Sequence, residues 1–238
     1  MRSMKVSRVH LDPSGPGDPR LLLLAMGVVA IERGDQYGEL EPLDALAPAM
    51  EKCTKEIHEA LSDPEDEVGY WAILDDTGRR LEDLLGLSLV ACQVEIDGVV
   101  SLINKLHECH KEQLGLPISN LSCKREALLQ RHSPLVGSTD YSSLTAIDAF
   151  ANYFKHRHEW NLDWSSLTSR SAQTIKIITA LGAGPMVPPD NLRKGYRVIF
   201  GDENYGQLKS RFRKILHDWT LSLKNEYRRE LSLSQYCD

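Results

Sequence analysis

Residues 78–114 read GRRLEDLLGLSLVACQVEIDGVVSLINKLHECHKEQL, and this stretch decides the fold. Apolar side chains recur in it at the three- and four-residue spacing of an α-helix. Between Leu84 and Ile103 they cover much of the circumference. A helix of that kind has neighbours on several sides, so the pattern predicts a central helix over 78–114. Gly86 and Gly98 are the interior positions where it is most easily interrupted.

The flanking sequence stays helical. Leu21–Arg33 reads as a short apolar helix, with a strand as the competing reading, and Leu43–Leu61 as an amphipathic helix that stops at Ser62-Asp-Pro-Glu-Asp66. Val68–Leu74 is a short separate element. Further helices are expected at Lys124–His132, Ser143–Trp160, Arg170–Leu181, Leu192–Phe200 and Tyr205–Leu231. They are separated by Gly115 and Pro117, by Ser133–Asp140, and by the strongest breaker cluster, Gly182–Pro189. Alternating strand patterns are scarce. The expected fold class is therefore all-α, with a flexible or extended segment at 1–19 and one helical domain at 20–238. Within that domain the acidic helical part is 35–83, the core helices 78–181 and the basic C-terminal part 190–231.

The chain has 238 residues, enough for a real core, and its 42% hydrophobic content excludes disordered and collagenous classes. The longest apolar run, Leu21–Ile31, is followed at once by Glu32 and Arg33 and is shorter than the roughly 20 residues that span a bilayer. Cys53, Cys92, Cys109, Cys123 and Cys237 are odd in number and irregularly spaced, which suits reduced thiols. A cytoplasmic protein without a membrane partner is expected.

Charge is distributed unevenly. From Asp35 to Asp83 fifteen acidic residues stand against four basic ones, whereas Arg193 to Arg229 carries ten basic against four acidic. Two readings follow: a basic part that meets an anion such as nucleic acid, or two solvated faces that merely differ in sign or attract each other across the fold or a dimer.

The functional lead is Ala151-Asn-Tyr-Phe-Lys-His-Arg-His-Glu-Trp160. On a helix, Leu144, Ile147, Phe150, Ala151 and Phe154 share one face, and Asp148, Asn152, Lys155, His156 and Glu159 the opposite one. Asn152 and His156 are four apart and so neighbours. Tyr153 and Trp160 border the polar stripe as exposed aromatics, and His158 falls on the core face. On the central helix, Glu95 projects with Leu84, Ser88, Leu102 and Leu106, where a carboxylate needs a partner. A core hydroxyl or His158 is one such partner.

The Asn152-x-x-x-His156 spacing with its cationic tail resembles the HEPN family, compact helical domains of toxin, phage-defence and RNA-processing systems. The resemblance implies a HEPN-like helical bundle, a homodimer with its site at a two-fold interface, and metal-independent RNA cleavage with no cofactor. His156 would then be the general acid or base at the ribose 2′-hydroxyl and Asn152 a donor to the phosphate. Lys155 and Arg157 would bind RNA and offset developing charge, and Glu95 would orient His156. An antitoxin or defence-system protein would be the partner. The family's arginine falls on Ala151, and this supports the second reading, a non-catalytic interaction or regulatory protein with a degenerate HEPN-like fold. The looser Arg-to-His spacing of the family occurs at Arg125–His132 and Arg211–His217, about as often as chance allows. His107, His110 and Cys123 lack the spacing of a zinc site, so no metal is expected.

Overall fold

The computed structural model describes residues 19–37, 40–62, 67–115, 117–118, 120–160, 164, 169–185 and 190–231. The segment expected at 1–19 lies outside them except for Pro19, where the first helix begins. The helices are α1 (Pro19–Tyr37), α2 (Glu41–Ser62), α3 (Glu67–Leu114), α4 (Arg125–Gln130), α5 (Ser143–His156), α6 (Ser169–Ala180), α7 (Asn191–Phe200) and α8 (Leu208–Glu230). A 3-10 turn at Tyr205–Gln207 leads into α8. Among the described residues extended pairing is limited to one bridge, Leu135 with Ser142. The fold is all-α, as the sequence predicts.

The central helix is longer than expected. Val68–Leu74 is not a separate element but the start of α3, which runs unbroken for 48 residues. Its core side carries Leu81, Leu85, Leu89, Cys92, Ile96, Val99 and Ile103, all buried. Helices α1, α2 and α5 pack along it, with α7 at a further side. By length and composition Leu74–Leu114 is apolar enough to cross a membrane. In this fold half of its most apolar window is buried against the other helices.

Two glycines mark where helices approach α5 most closely. A Cβ at Gly86 of α3 would lie 2.0 Å from Cδ2 of Phe154, and one at Gly195 of α7 would lie 2.6 Å from Cζ of Phe150. Gly86 therefore does not interrupt α3; it lets the Phe154 ring lie against the helix backbone. At the far side of the core α8 buries Phe212, Leu216, Trp219, Leu223 and Tyr227. The Trp219 indole donates to the Leu128 carbonyl at 3.1 Å, which satisfies its N–H inside the core and ties α8 to α4.

The acidic and basic segments do meet across the fold. Lys209 of α8 pairs with Asp44 of α2. Glu82 of α3, only 4% exposed, accepts from the backbone N–H groups of Leu192 at 3.0 Å and Arg193 at 2.9 Å. It thereby takes the place of an N-cap side chain at the start of α7, where Asp190 makes no capping bond. Burial pushes the Glu82 carboxyl up to about 7, against the pull of those two N–H donors.

Gly86→Ala should destabilise the protein by about 1–3 kcal/mol through overpacking, although the same change at an exposed helical site gains up to about 1 kcal/mol. Urea unfolding monitored by circular dichroism measures this. Glu82 gives a pH test. Its native pKa lies above the ordinary 4.5, so between these values the native state holds a proton that the unfolded chain releases. Its contribution is then full at low pH and declines as pH rises, by on the order of 3 kcal/mol in total, levelling off above about 7. Glu82→Gln should flatten that decline in a series of melts from pH 5 to 8.

Candidate functional site

The polar face of α5 does not lie open. It forms one wall of a cleft of about 850 Å³ between α3, α4, α5 and α6. Its position follows from the junction of α4 and α5. Ser142 caps α5, its hydroxyl accepting from the Thr145 N–H at 3.1 Å and donating to the Leu129 carbonyl at 2.6 Å. Gln130 donates to the Asp140 carbonyl at 2.6 Å and accepts from the Ser142 N–H at 3.2 Å. These bonds hold the end of α4 against the start of α5, so that Arg125 on α4 reaches Asp148 on α5.

Asp148 is the hub. Its Oδ1 accepts from the Arg125 guanidinium at 2.6 Å and from the Gln93 amide at 2.5 Å. Its Oδ2 accepts from the Asn152 amide at 3.4 Å. Gln93 Nε2 also donates to Asn152 Oδ1 at 3.2 Å, and Gln93 Oε1 accepts from the Lys155 ammonium at 2.8 Å. The Gln93 amide thus turns its donor to the acid and its acceptor to the cation, and every polar end in the chain from Arg125 to Lys155 is answered. A second arm of Arg125 pairs with Asp97. Burial alone would pull the Arg125 pKa down, but Asp148 and Asp97 together raise it, so it is a fixed cation. The floor is apolar, with Leu129, Ala149 and Ile177.

Of the residues singled out in the sequence, Asn152 and Lys155 of the motif, Asp148 of the polar stripe and Arg125 of the loose Arg–His pair line this cleft, whereas His156, Arg157 and Glu95 do not. His156 occupies the last turn of α5 with half its side chain exposed, and its Nδ1 lies 3.2 Å from Glu159 Oε2. Arg157 lies over the Phe154 ring, 4.6 Å from its centroid, and pairs with Asp83. Glu95 is half-buried beside Cys92, whose thiol it helps to raise after burial itself. It does not converge with Asn152 and His156. Gly86 and Gln93 define the side of α3 that faces α5, and at about 100° per residue Glu95 is about 180–200° from both.

The end of α5 also differs from expectation. The helix stops at His156, where a turn bonds the Glu159 N–H to the His156 carbonyl at 2.8 Å. His158 consequently leaves the core face and is exposed. Tyr153 is buried rather than bordering the stripe, because the chain around Asn191 covers it. Asn191, itself fully buried, donates to the Tyr153 hydroxyl at 3.1 Å. The rings of Trp160 and Trp164 stand 5.6 and 6.1 Å from Tyr153.

The two loose Arg–His pairs separate. Helix α4 ends at Gln130, Arg131 is extended, and His132 has φ 60°, so its ring leaves Arg125 and meets Glu226 at 2.9 Å. Arg211 closes the end of α7 by donating to the Phe200 carbonyl at 2.8 Å while pairing with Asp202. His107 bonds the Tyr227 hydroxyl at 2.7 Å. Among the described residues no three His, Cys, Asp or Glu side chains are grouped to hold a metal ion.

Gln93 and Asp97 are the site residues that the sequence pattern passes over. Their one signal is a four-residue spacing of polar groups within an apolar helix. Comparison with family models, with curated proteins and with solved structures gives no match.

Asp148→Ala leaves the Arg125 guanidinium and the Gln93 amide short of an acceptor, and should cost about 1–3 kcal/mol. His156→Ala removes an exposed side chain and should change stability by less than about 0.5 kcal/mol. Paired thermal melts distinguish a hub at Asp148 from one at His156.

Proposed function

We propose that the chain is a non-catalytic helical interaction protein that uses the Asp148 cleft to hold a cationic side chain of a partner. The observation that carries this reading is the make-up of the cleft. Asp97, Glu126, Asp140 and Asp148 line it against Arg125 and Lys155, four carboxylates to two cations. Arg125 and the pair Asp148 and Asp97 answer one another, which leaves Glu126 and Asp140 at the rim against Lys155. An apolar floor beneath a carboxylate rim suits a Lys or Arg side chain, whose alkyl stem is buried while its charged head stays at the rim. A nucleic-acid backbone entering the same cleft would meet a net negative wall. The HEPN-like resemblance then describes a degenerate member, with Ala151 at the arginine position, and a regulatory or defence-system partner supplies the cation.

One observation favours the second reading, a HEPN-like metal-independent ribonuclease acting on RNA. Lys155 at the cleft rim and His156 just outside it both stand exposed at the end of α5. In that reading His156 works from the rim as general acid or base.

The test uses the full chain with two labelled probes, an arginine-rich peptide and a single-stranded RNA of matched length, in fluorescence anisotropy, with RNA integrity followed in the presence of a chelator. The peptide should bind, and Asp97→Asn with Glu126→Gln should weaken it about tenfold, while the RNA stays intact. RNA breakdown that disappears in His156→Ala would overturn this proposal in favour of the ribonuclease.

A further inference from the structure

The last turns of α8 face the strained turn that follows α4. His132 takes φ 60°, the one positive φ of a non-glycine residue among the described residues. Backbone held in that sparsely populated region clusters at ligand clamps and other over-determined contacts. The His132 ring is turned onto α8, where its Nε2 lies 2.9 Å from Glu226 Oε2. Ring and helix together line a surface pocket of about 550 Å³, formed by His132, Ser222, Asn225, Arg228 and Arg229. None of these five is acidic. Ser222, Asn225 and Arg229 follow one another at three and four residues on one face of the helix, and Arg228 stands beside them.

The two acids of these turns are engaged by other groups. Glu226 accepts from Arg131 at 3.4 Å as well as from His132, and Glu230 accepts from the Asn120 amide at 2.5 Å. The donors are less fully used. Arg229 gives its Nε–H to the Asn225 carbonyl at 3.3 Å, which orders the side chain along the helix and leaves its two terminal amino groups as donors. His132 spends Nε2 on Glu226, since a carboxylate only accepts, and keeps Nδ1. The Asn225 amide adds two N–H groups, whereas Ser222 gives its proton to the Asp218 carbonyl at 2.8 Å and adds none. Cations in the last turn of a helix also offset its dipole, but that role requires neither the turn at His132 nor an amide at Asn225.

We propose that this pocket binds a terminal phosphate dianion, free or as a monoester. Two guanidinium groups and an amide offer more donors than the two oxygens of a carboxylate can take. A terminal phosphate presents three strong acceptor oxygens and matches the guanidinium fork. An internal phosphodiester has two free oxygens and a single charge, and its binding uses a groove of cations that tracks the strand, not one cluster at a helix end. The pocket shares no lining residue with the Asp148 cleft, so the two sites stand or fall separately.

Phosphorus NMR tests this with the full chain and three probes: inorganic phosphate, O-phosphoserine, and a single-stranded RNA with hydroxyls at both ends. The phosphate and phosphoserine resonances should broaden when the protein is added to millimolar probe. Arg229→Gln and Asn225→Asp, both at exposed positions, should each weaken binding at least about tenfold while leaving the melting curve unchanged. Lys155→Gln, in the cleft, should leave the broadening as it is. Equal affinity for the two small probes marks a site for the free ion, and tighter binding of O-phosphoserine marks one for an ester; either result supports the assignment. Absence of broadening at millimolar phosphate overturns it. So does broadening that survives both substitutions, because the ion then binds elsewhere, and so does an RNA that binds more tightly than either small probe.

Discussion

The contact on which the rest of the structure depends is the approach of α5 to α3 at Gly86. Phe154 occupies the volume a side chain there would need, and that closeness sets the depth at which α5 sits against the central helix. Gln93 lies seven residues further along α3, two helical turns on and on nearly the same side. It is therefore held at the right height to span Asp148, Asn152 and Lys155. One turn before Gly86, Glu82 faces the start of α7, and Asp83 meets Arg157 at the end of α5. The polar residues of α3 thus fall at regular intervals beside a single steric constraint. Each is matched by a group on the helix that the constraint brings near.

Buried polar groups in such a helix are tolerable only when completely answered, because a half-satisfied network costs more than an apolar core. The Asp148 network meets that condition through one amide whose two ends differ in polarity. Replacing Gln93 by an acid or a base would leave either Lys155 or Asp148 facing a like charge. The amide is therefore the residue type that lets a cation and an anion share one wall without contacting each other. Glu82 solves a different problem with the same economy. A helix whose own cap residue makes no bond receives both of its acceptors from another element, so α7 cannot start anywhere but against α3.

Much of this architecture was legible in the sequence, because period and breakers carry it. The helices α2, α5, α6, α7 and α8 lie where apolar spacing and the Gly-Pro clusters put them, within a few residues. The core face of α5 through Leu144, Ile147, Phe150 and Ala151 is buried as its spacing requires. What the pattern misplaced has physical reasons. Gly78 looked like a boundary, but one glycine costs a helix only about 1 kcal/mol, which α3 easily outweighs by packing. His158 and Trp160 continue the period of α5, yet the local turn at His156 ends the helix first. Glu95 shares a partly buried face with Leu84, Ser88, Leu102 and Leu106 as its period requires, but period says nothing of which helix that face meets, and α5 meets the side of Gly86 and Gln93 instead. The cleft itself combines α3, α4, α5 and α6. No single segment contains it: Asp148, Asn152 and Lys155 were visible as one helix face, Arg125 only as half of an unrelated pair, and nothing in the sequence joined the two.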